Sequence, residues 1–374
     1  MIDTPAKRAG IYRPELDILR FVAFMMVFSY HVLPSATGQG SFFHHLLLPL
    51  RDAGAFGVPV FFALSSFLIT DLLVREIEAT GEIHFKAFYV RRTLRIWPLY
   101  FLIIAITSLC LYFFPVYDTT PGRLVAFIFF VGNVYVGSYG FGHDPLVPLW
   151  SLSIEEQYYL LWPQVIKRFG VGGLVRLSAV AIMISYAVLI YLGLRKVDLN
   201  VLWPNSLVQM QFLAAGSILA VLHRGRIPRR GGVGRALQVG SSFLLFFLSD
   251  LLVQIKTPNF TASAFSPLGY LMVLMGTILL LHGVLGTAVP RWAKPLVYLG
   301  KISYGLYMFH FIAIDIVTRL ESDAHFSPVI ATALRGCIAL PVTILAAALS
   351  YRFFETPFLR LKERFTFVTS RPIA

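Results

Sequence analysis

The chain has 374 residues, with 32 lysines and arginines against 19 aspartates and glutamates, for a formal net charge of +13. Hydrophobic residues make up 57% and charged residues 14%, whereas a typical soluble domain carries about 25% charged residues. That balance excludes an ordinary cytosolic globule, a nucleic-acid binder and a disordered chain, and predicts an integral membrane protein with its basic residues in cytoplasmic loops.

An apolar stretch of about 20 residues crosses the hydrocarbon core. In chain order such stretches occupy 16–34, 56–74, 96–114, 174–194, 207–222, 237–255, 267–285, 296–317 and 328–351. The first follows a charged arm with Lys7, Arg8 and Arg13. It contains Arg20 and His31 and many spans follow, so it reads as an uncleaved helix and not a signal peptide. The two cysteines, Cys110 and Cys337, each lie inside an apolar run, which excludes a disulfide scaffold and a Cys-based zinc site.

Between the third and fourth stretches lie two shorter apolar pieces, 124–136 and 149–166. Loop charge decides how often this region crosses. The basic groups are the N-terminal arm, then Arg75, Lys86, Arg91, Arg92 and Arg95, then the five arginines of 223–235, and last Arg352, Arg360, Lys362 and Arg364. Placing all of them in the cytoplasm demands an odd number of crossings, taken as one, with 124–136 dipping in or lying at the interface. Arg195 and Lys196 then face outward, against the rule. The predicted fold is an all-α bundle of about ten transmembrane helices with one short re-entrant or interfacial segment. Both termini are cytoplasmic, and 1–374 forms a single domain with its core at about 16–358. No internal repeat or low-complexity tract is visible.

Ionisable residues inside spans are costly and normally face a bundle interior. Arg20 and His31, eleven residues apart, share one face of the first helix about 16 Å apart along its axis. They are either a snorkelling arginine with an interfacial histidine or functional groups. Arg92 and Arg95 are i,i+3 neighbours, suited to a phosphate from a nucleotide or from a lipid headgroup. In Trp150-Ser-Leu-Ser-Ile-Glu-Glu-Gln-Tyr-Tyr159, Glu155 is expected at roughly the depth of His31, where a carboxylate would raise imidazole basicity. Helix-dipole stabilisation also explains acids there. Ser303, Tyr307 and His310 form a polar stripe on a later helix. Asp250, Asp315 and Arg335 lie near outer helix ends and receive no chemistry. Phosphate-loop, dinucleotide, zinc-protease and serine-elbow motifs are absent from the sequence.

Together these pieces resemble the acyltransferase 3 family of bacterial membrane acyltransferases, from Glu15 to Phe358. The resemblance rests on six motifs in order. They are Leu16-Asp-Ile-Leu-Arg20 followed by His31, Phe61-Phe-Ala-Leu-Ser-Ser-Phe-Leu-Ile-Thr70, Arg91-Arg-Thr-Leu-Arg-Ile-Trp-Pro-Leu-Tyr100, the Trp150–Tyr159 run, Ile302-Ser-Tyr-Gly-Leu-Tyr-Met-Phe-His310 and Tyr351-Arg-Phe-Phe-Glu-Thr-Pro-Phe358. Ser66 departs from the family's usual glycine.

The resemblance implies a ten-helix enzyme of the bacterial cytoplasmic (inner) membrane. It would move an acyl group, usually acetyl, from a cytoplasmic CoA thioester to a hydroxyl, with no permanently bound cofactor and no metal. Acceptors implied are sugars of surface polysaccharide or lipid-linked precursors, or other glycosylated molecules, and polysaccharide-assembly proteins are implied partners. Some members carry a C-terminal esterase-like domain; this chain, ending at Ala374, is expected to work without one, alone or with a separate partner. By the same resemblance Arg20, Arg92 and Arg95 would hold CoA phosphates, and His31 supported by Glu155 would deprotonate the acceptor. A transient acyl-histidine is the competing mechanism. Ser153, Gln157, Tyr158, Tyr307 and His310 are candidates for acceptor binding or oxyanion stabilisation, and His310 could exchange roles with His31. The rival reading is a transporter whose buried His, Glu and Arg groups relay protons.

Overall fold

The computed structural model describes residues 12–33, 42–113, 117, 119–224, 231–256, 261–322 and 328–367. Lys7, Arg8, Pro34 and the arginines at 226, 229 and 230 lie outside these residues. The architecture is all-helical; the β-type pairing among the described residues is the isolated Asp198–Thr261 bridge.

Helix α1 (Pro14–Val32) starts on a proline, whose fixed φ suits the first helical position, with Glu15 and Asp17 in its first turn. It is followed by α2 (Phe42–Ala53), α3 (Gly57–Thr80) and α4 (Phe85–Phe113). The apolar piece at 124–136 forms two eight-residue helices, α5 (Pro121–Ile128) and α6 (Gly132–Tyr139). At about 1.5 Å per residue neither is long enough to cross a bilayer.

Helix α7 runs from Leu149 to Leu194, broken at Gly170, whose φ of 63° and ψ of −177° take it out of the helical region. A residue with a side chain would be strained there. The next elements are α8 (Leu199–Leu202), α9 (Ser206–Leu222), α10 (Gly232–Val253) and α11 (Ser266–Val284). After these come α12 (Lys294–Lys301) and α13 (Ser303–Ser322), which meet at a 67° bend. The chain closes with α14 (Pro328–Leu334), α15 (Leu340–Leu349) and α16 (Thr356–Glu363), joined by π-helical turns at Arg335–Ala339 and Ser350–Glu355.

Six of these helices or continuous helical stretches are long and apolar enough to cross a membrane, or seven if the bent α12–α13 pair is one span. The outward faces are apolar, with Leu160, Leu161, Met183, Leu244 and Leu345 all exposed, as expected where lipid is the solvent. Inside, one large apolar cluster joins α3, α4, α7, α9 and α11, and a smaller one packs Phe24 and Phe28 of α1 against Leu306, Ala313 and Ala347. Small residues bring α1 close to its neighbours. A Cβ on Gly57 would stand 2.3 Å from the Ala23 carbonyl oxygen, and one on Gly300 1.8 Å from that of Asp17. Close backbone approach is how helices gain packing energy when lipid removes the hydrophobic incentive.

Candidate active site

Helices α1, α3, α4, α7 and α13 line a half-open cavity of about 820 Å³, its open mouth included. Its polar lining comprises Arg20, Ser65, Arg92, Arg95, Ser151, Glu155, Tyr159, Ser303, Tyr304 and Tyr307. Each cation is set by its own helix. Arg20 is anchored by Asp17 one turn earlier, Nη1 to Oδ1 at 2.9 Å, and Tyr12 donates to the other oxygen of that carboxylate at 2.7 Å. The guanidinium of Arg92 lies 5.7 Å from the ring centroids of Phe88 and Tyr159, and its buried Nε has no hydrogen-bond partner.

Arg91, adjacent in sequence, turns about 100° away around α4. It is spent on Glu76 and the Phe365 carbonyl, both at 2.7 Å, which ties the chain's last described segment to the α3–α4 corner.

The two adjacent glutamates separate. Glu155 enters the cavity and accepts from Tyr159 at 2.6 Å, while Ser65 hydrogen-bonds the Tyr159 hydroxyl and stands 3.4 Å from the same carboxylate. Glu156 instead accepts from the Trp97 indole at 3.2 Å.

His31 sits elsewhere. Its ring meets His310 at 5.4 Å, Tyr30 at 5.1 Å and Phe311 at 5.6 Å between centroids. Against the expectation from the sequence, Glu155 does not lie at the depth of His31: it shares its cavity with Arg20, some three turns of α1 away from His31, because α7 is offset along α1 toward the Arg20 end. Tyr307 stands between the two groups. It lines the cavity, its hydroxyl bonds Ser151 at 2.8 Å, and its ring lies 5.5 Å from His310.

Among the acceptor-binding candidates, Tyr307 therefore reaches the cavity and His310 reaches His31. The other three are turned to protein partners. Ser153 donates to the Leu149 carbonyl at 3.3 Å, and Tyr158 bonds Ser217 of α9 at 2.6 Å. The Gln157 amide bonds the Phe130 carbonyl, Asn133 and Ser206 at 3.0, 2.9 and 2.8 Å.

Sequence reading assigned no role to Asp17, Ser65 or Tyr159. Asp17 was detectable as the i,i+3 partner of Arg20, and Ser65 as one of two adjacent serines inside the apolar stretch 56–69 of α3. Tyr159 carried no signal beyond its place next to Tyr158.

Comparison with known proteins places this geometry in context. The acyltransferase domain of the acyltransferase 3 family matches residues 13–352. The chain is 29% identical over 372 residues to a "Putative O-acetyltransferase" of Staphylococcus aureus strain MSSA476, covering 93% of this chain and 57% of that one. It is likewise 29% identical over 370 residues to "O-acetyltransferase OatA" of S. aureus strain NCTC 8325, covering 91% of this chain and 60% of the relative. The chain thus spans well under two thirds of the length of these relatives. No solved structure matches. With the family's domain covering nearly all of it, the chain belongs to the acyltransferase 3 family.

Proposed function

We propose that this protein is a membrane-embedded O-acyltransferase that moves an acyl group, acetyl by analogy with the relatives' names, from acyl-CoA to a sugar hydroxyl. The observation that carries the reading is the cavity itself, in which Arg20, Arg92 and Arg95 converge from two helices without enough carboxylate to neutralise them. An anionic, elongated donor fits that imbalance, and guanidinium forks are suited to phosphates. CoA phosphates would bind the arginines, and the pantetheine arm would run along the cavity toward Tyr307.

His31 would act as general base, with Glu155 serving the transfer from the donor side of the cavity. In the step, the acceptor O–H proton passes to His31 while the acceptor oxygen forms its bond to the acyl carbon. The C–S bond then breaks, and the imidazolium returns the proton to the departing CoA thiolate. No net proton is gained or lost.

The same reading takes the chain as one domain with ten spans and cytoplasmic termini in the bacterial inner membrane. Counting α7 on either side of Gly170 as two, and adding α1 and the 17-residue α9, brings the seven apolar spans to ten. Three charges, Glu15, Asp17 and Arg20, set α1 apart from an ordinary apolar span, and of these Arg20, held by Asp17, lines the cavity.

The test is to purify the protein in lipid and measure CoA binding and thiol release from radiolabelled acetyl-CoA, for wild type and His31→Ala. The expected result is that both bind CoA and that only the wild type turns over. A wild type that fails to bind CoA overturns the proposal and favours the transporter reading. A fully active His31→Ala removes His31 from the mechanism.

A further inference from the structure

His310 is wholly buried, and its hydrogen bonding fixes which nitrogen carries the proton. Nδ1 lies 2.6 Å from the backbone carbonyl oxygen of Tyr307, one turn earlier on α13. A carbonyl only accepts, so Nδ1 is the donor and holds the proton. In the neutral ring Nε2 is then a bare lone pair. That lone pair is buried and has no hydrogen-bond partner, and a buried unsatisfied acceptor costs about 1–3 kcal/mol.

The rings around it narrow the choice of donor. Phe24, at 6.0 Å, and Phe311, at 6.4 Å, have none to offer. The Tyr307 hydroxyl is engaged with Ser151 and the Pro148 carbonyl. The remaining ring is His31, its centroid 5.4 Å away and inclined by 47°. Two imidazoles joined by an N–H···N bond have centroids about 5 Å apart, close to the 5.4 Å that separates these two rings.

We infer that His310 is a positioning residue for His31: its Nε2 accepts the N–H of one His31 nitrogen and leaves the other His31 nitrogen unprotonated toward the acceptor hydroxyl. The chain runs from the Tyr307 carbonyl through His310 to His31, and a backbone carbonyl fixed in a helix sets the tautomer at its far end. A carboxylate orients a catalytic histidine in the same way, through the nitrogen that does not touch substrate. The electrostatics differ, because a neutral imidazole orients His31 without placing a negative charge in an apolar core. That difference matters where an unpaired buried charge would be costly. The inference rests on the acyl-transfer reading for its chemistry, but the tautomer assignment is independent of it.

The experiment is magnetic resonance on the full chain in lipid, with ¹⁵N-imidazole labels on its nine histidines and a ¹³C label on tyrosine carbonyls. Coupling to the Tyr307 carbonyl identifies His310. In the wild type His310 is expected to be protonated on Nδ1 alone, and His31 to show one tautomer. His310→Asn, which keeps a donor for Tyr307 but loses the Nε2 acceptor, should leave His31 a mixture of tautomers and lower acetyl transfer roughly 100-fold. His310→Gln, whose amide oxygen approximates Nε2, should restore the single tautomer and most of the rate.

A wild-type His310 protonated on Nε2 overturns the inference without any variant, and so does an unchanged His31 tautomer in a folded His310→Asn. These spectra need no acyl donor, so a protein that never binds CoA fails the proposed function and leaves this assignment standing.

Discussion

A Cβ placed on Gly216 of α9 would stand 2.2 Å from the Ser66 hydroxyl of α3 and 2.0 Å from the Ala63 carbonyl oxygen. Ser66 adds a hydroxymethyl group to this face of α3, and its hydroxyl is turned back to that same Ala63 carbonyl at 3.1 Å. The extra atoms on α3 fit because α9 presents no side chain opposite them. Gly216→Ala should therefore destabilise the protein by about 1–3 kcal/mol, the usual cost of overpacking. Adding Ser66→Gly should not rescue it, because the nearer obstacle is backbone. Thermal unfolding in lipid nanodiscs reads both, and full rescue would mean that the helices can separate freely.

The arginine cavity makes a charge-versus-geometry prediction. Arg92→Lys keeps the charge but loses the planar fork, and should weaken CoA binding roughly tenfold. Arg20→Ala should do so by a similar factor and also leave Asp17 without its 2.9 Å partner. Equilibrium binding at low and moderate salt is the measurement. A lysine variant that binds as well as wild type would reduce the cavity's role to charge alone.

Glu155→Gln should move binding and turnover in opposite directions. Removing a carboxylate from the arginine cavity favours an anionic donor, with CoA binding tightened roughly fivefold. Turnover should fall at least tenfold, because Glu155 and its partner Tyr159 order the donor side of the cavity and misplacing the donor slows the transfer. Weaker CoA binding would instead show that Glu155 holds the arginines in place.

The Arg123–Asp144 pair is buried, with Nε 2.7 Å from Oδ2, and the same guanidinium bonds the Phe141 carbonyl. Asp144 also accepts from Thr119 at 2.6 Å, so one ion pair closes the segment leading into α7. Asp144→Ala leaves an uncompensated buried cation and should cost about 3–5 kcal/mol. Unfolding in lipid should show that loss, and a change under 1 kcal/mol would mean that water reaches Arg123.

Lys256, just past α10, offers a pH test. Its ammonium packs 4.0 Å from the centroid of Trp203 and 5.3 Å from that of Tyr30. Burial pulls it down to about 7, Asp52 and Asp250 hold it up, and Arg51 adds to the fall. The unfolded side chain titrates near 10.4, so between about pH 7 and 10 the unfolded state binds more protons and stability rises with pH. Below about pH 7 both states are charged and this dependence flattens. Unfolding midpoints should rise over that window in the wild type and lose that rise in Lys256→Met. A flat wild-type profile would show that the ammonium is not held down.

Composition and period made much of the fold legible. The low charge content defined the membrane class, and apolar length marked helices now seen at Phe85–Phe113, Gly232–Val253 and Ser266–Val284. The i,i+3 spacing of Arg92 and Arg95 correctly put both on one face, because helical geometry is local. The 149–166 and 174–194 segments also stand where expected, on either side of the Gly170 break.

What sequence could not supply is the axial offset between helices. Periodicity says which face of α7 carries Glu155 and which face of α1 carries Arg20 and His31, but not how far one helix slides along the other. That offset comes from close backbone contacts such as Gly57 on Ala23 and Gly300 on Asp17. It also comes from the Asp144 segment, which sets where α7 begins. These contacts bring Glu155 to Arg20, turn Gln157 and Tyr158 toward α6 and α9, and pair His31 with His310. Residues hundreds of positions apart meet only after the helices have packed, so the membrane class and the arginine face belong to the sequence, and the composition of the site belongs to the tertiary structure.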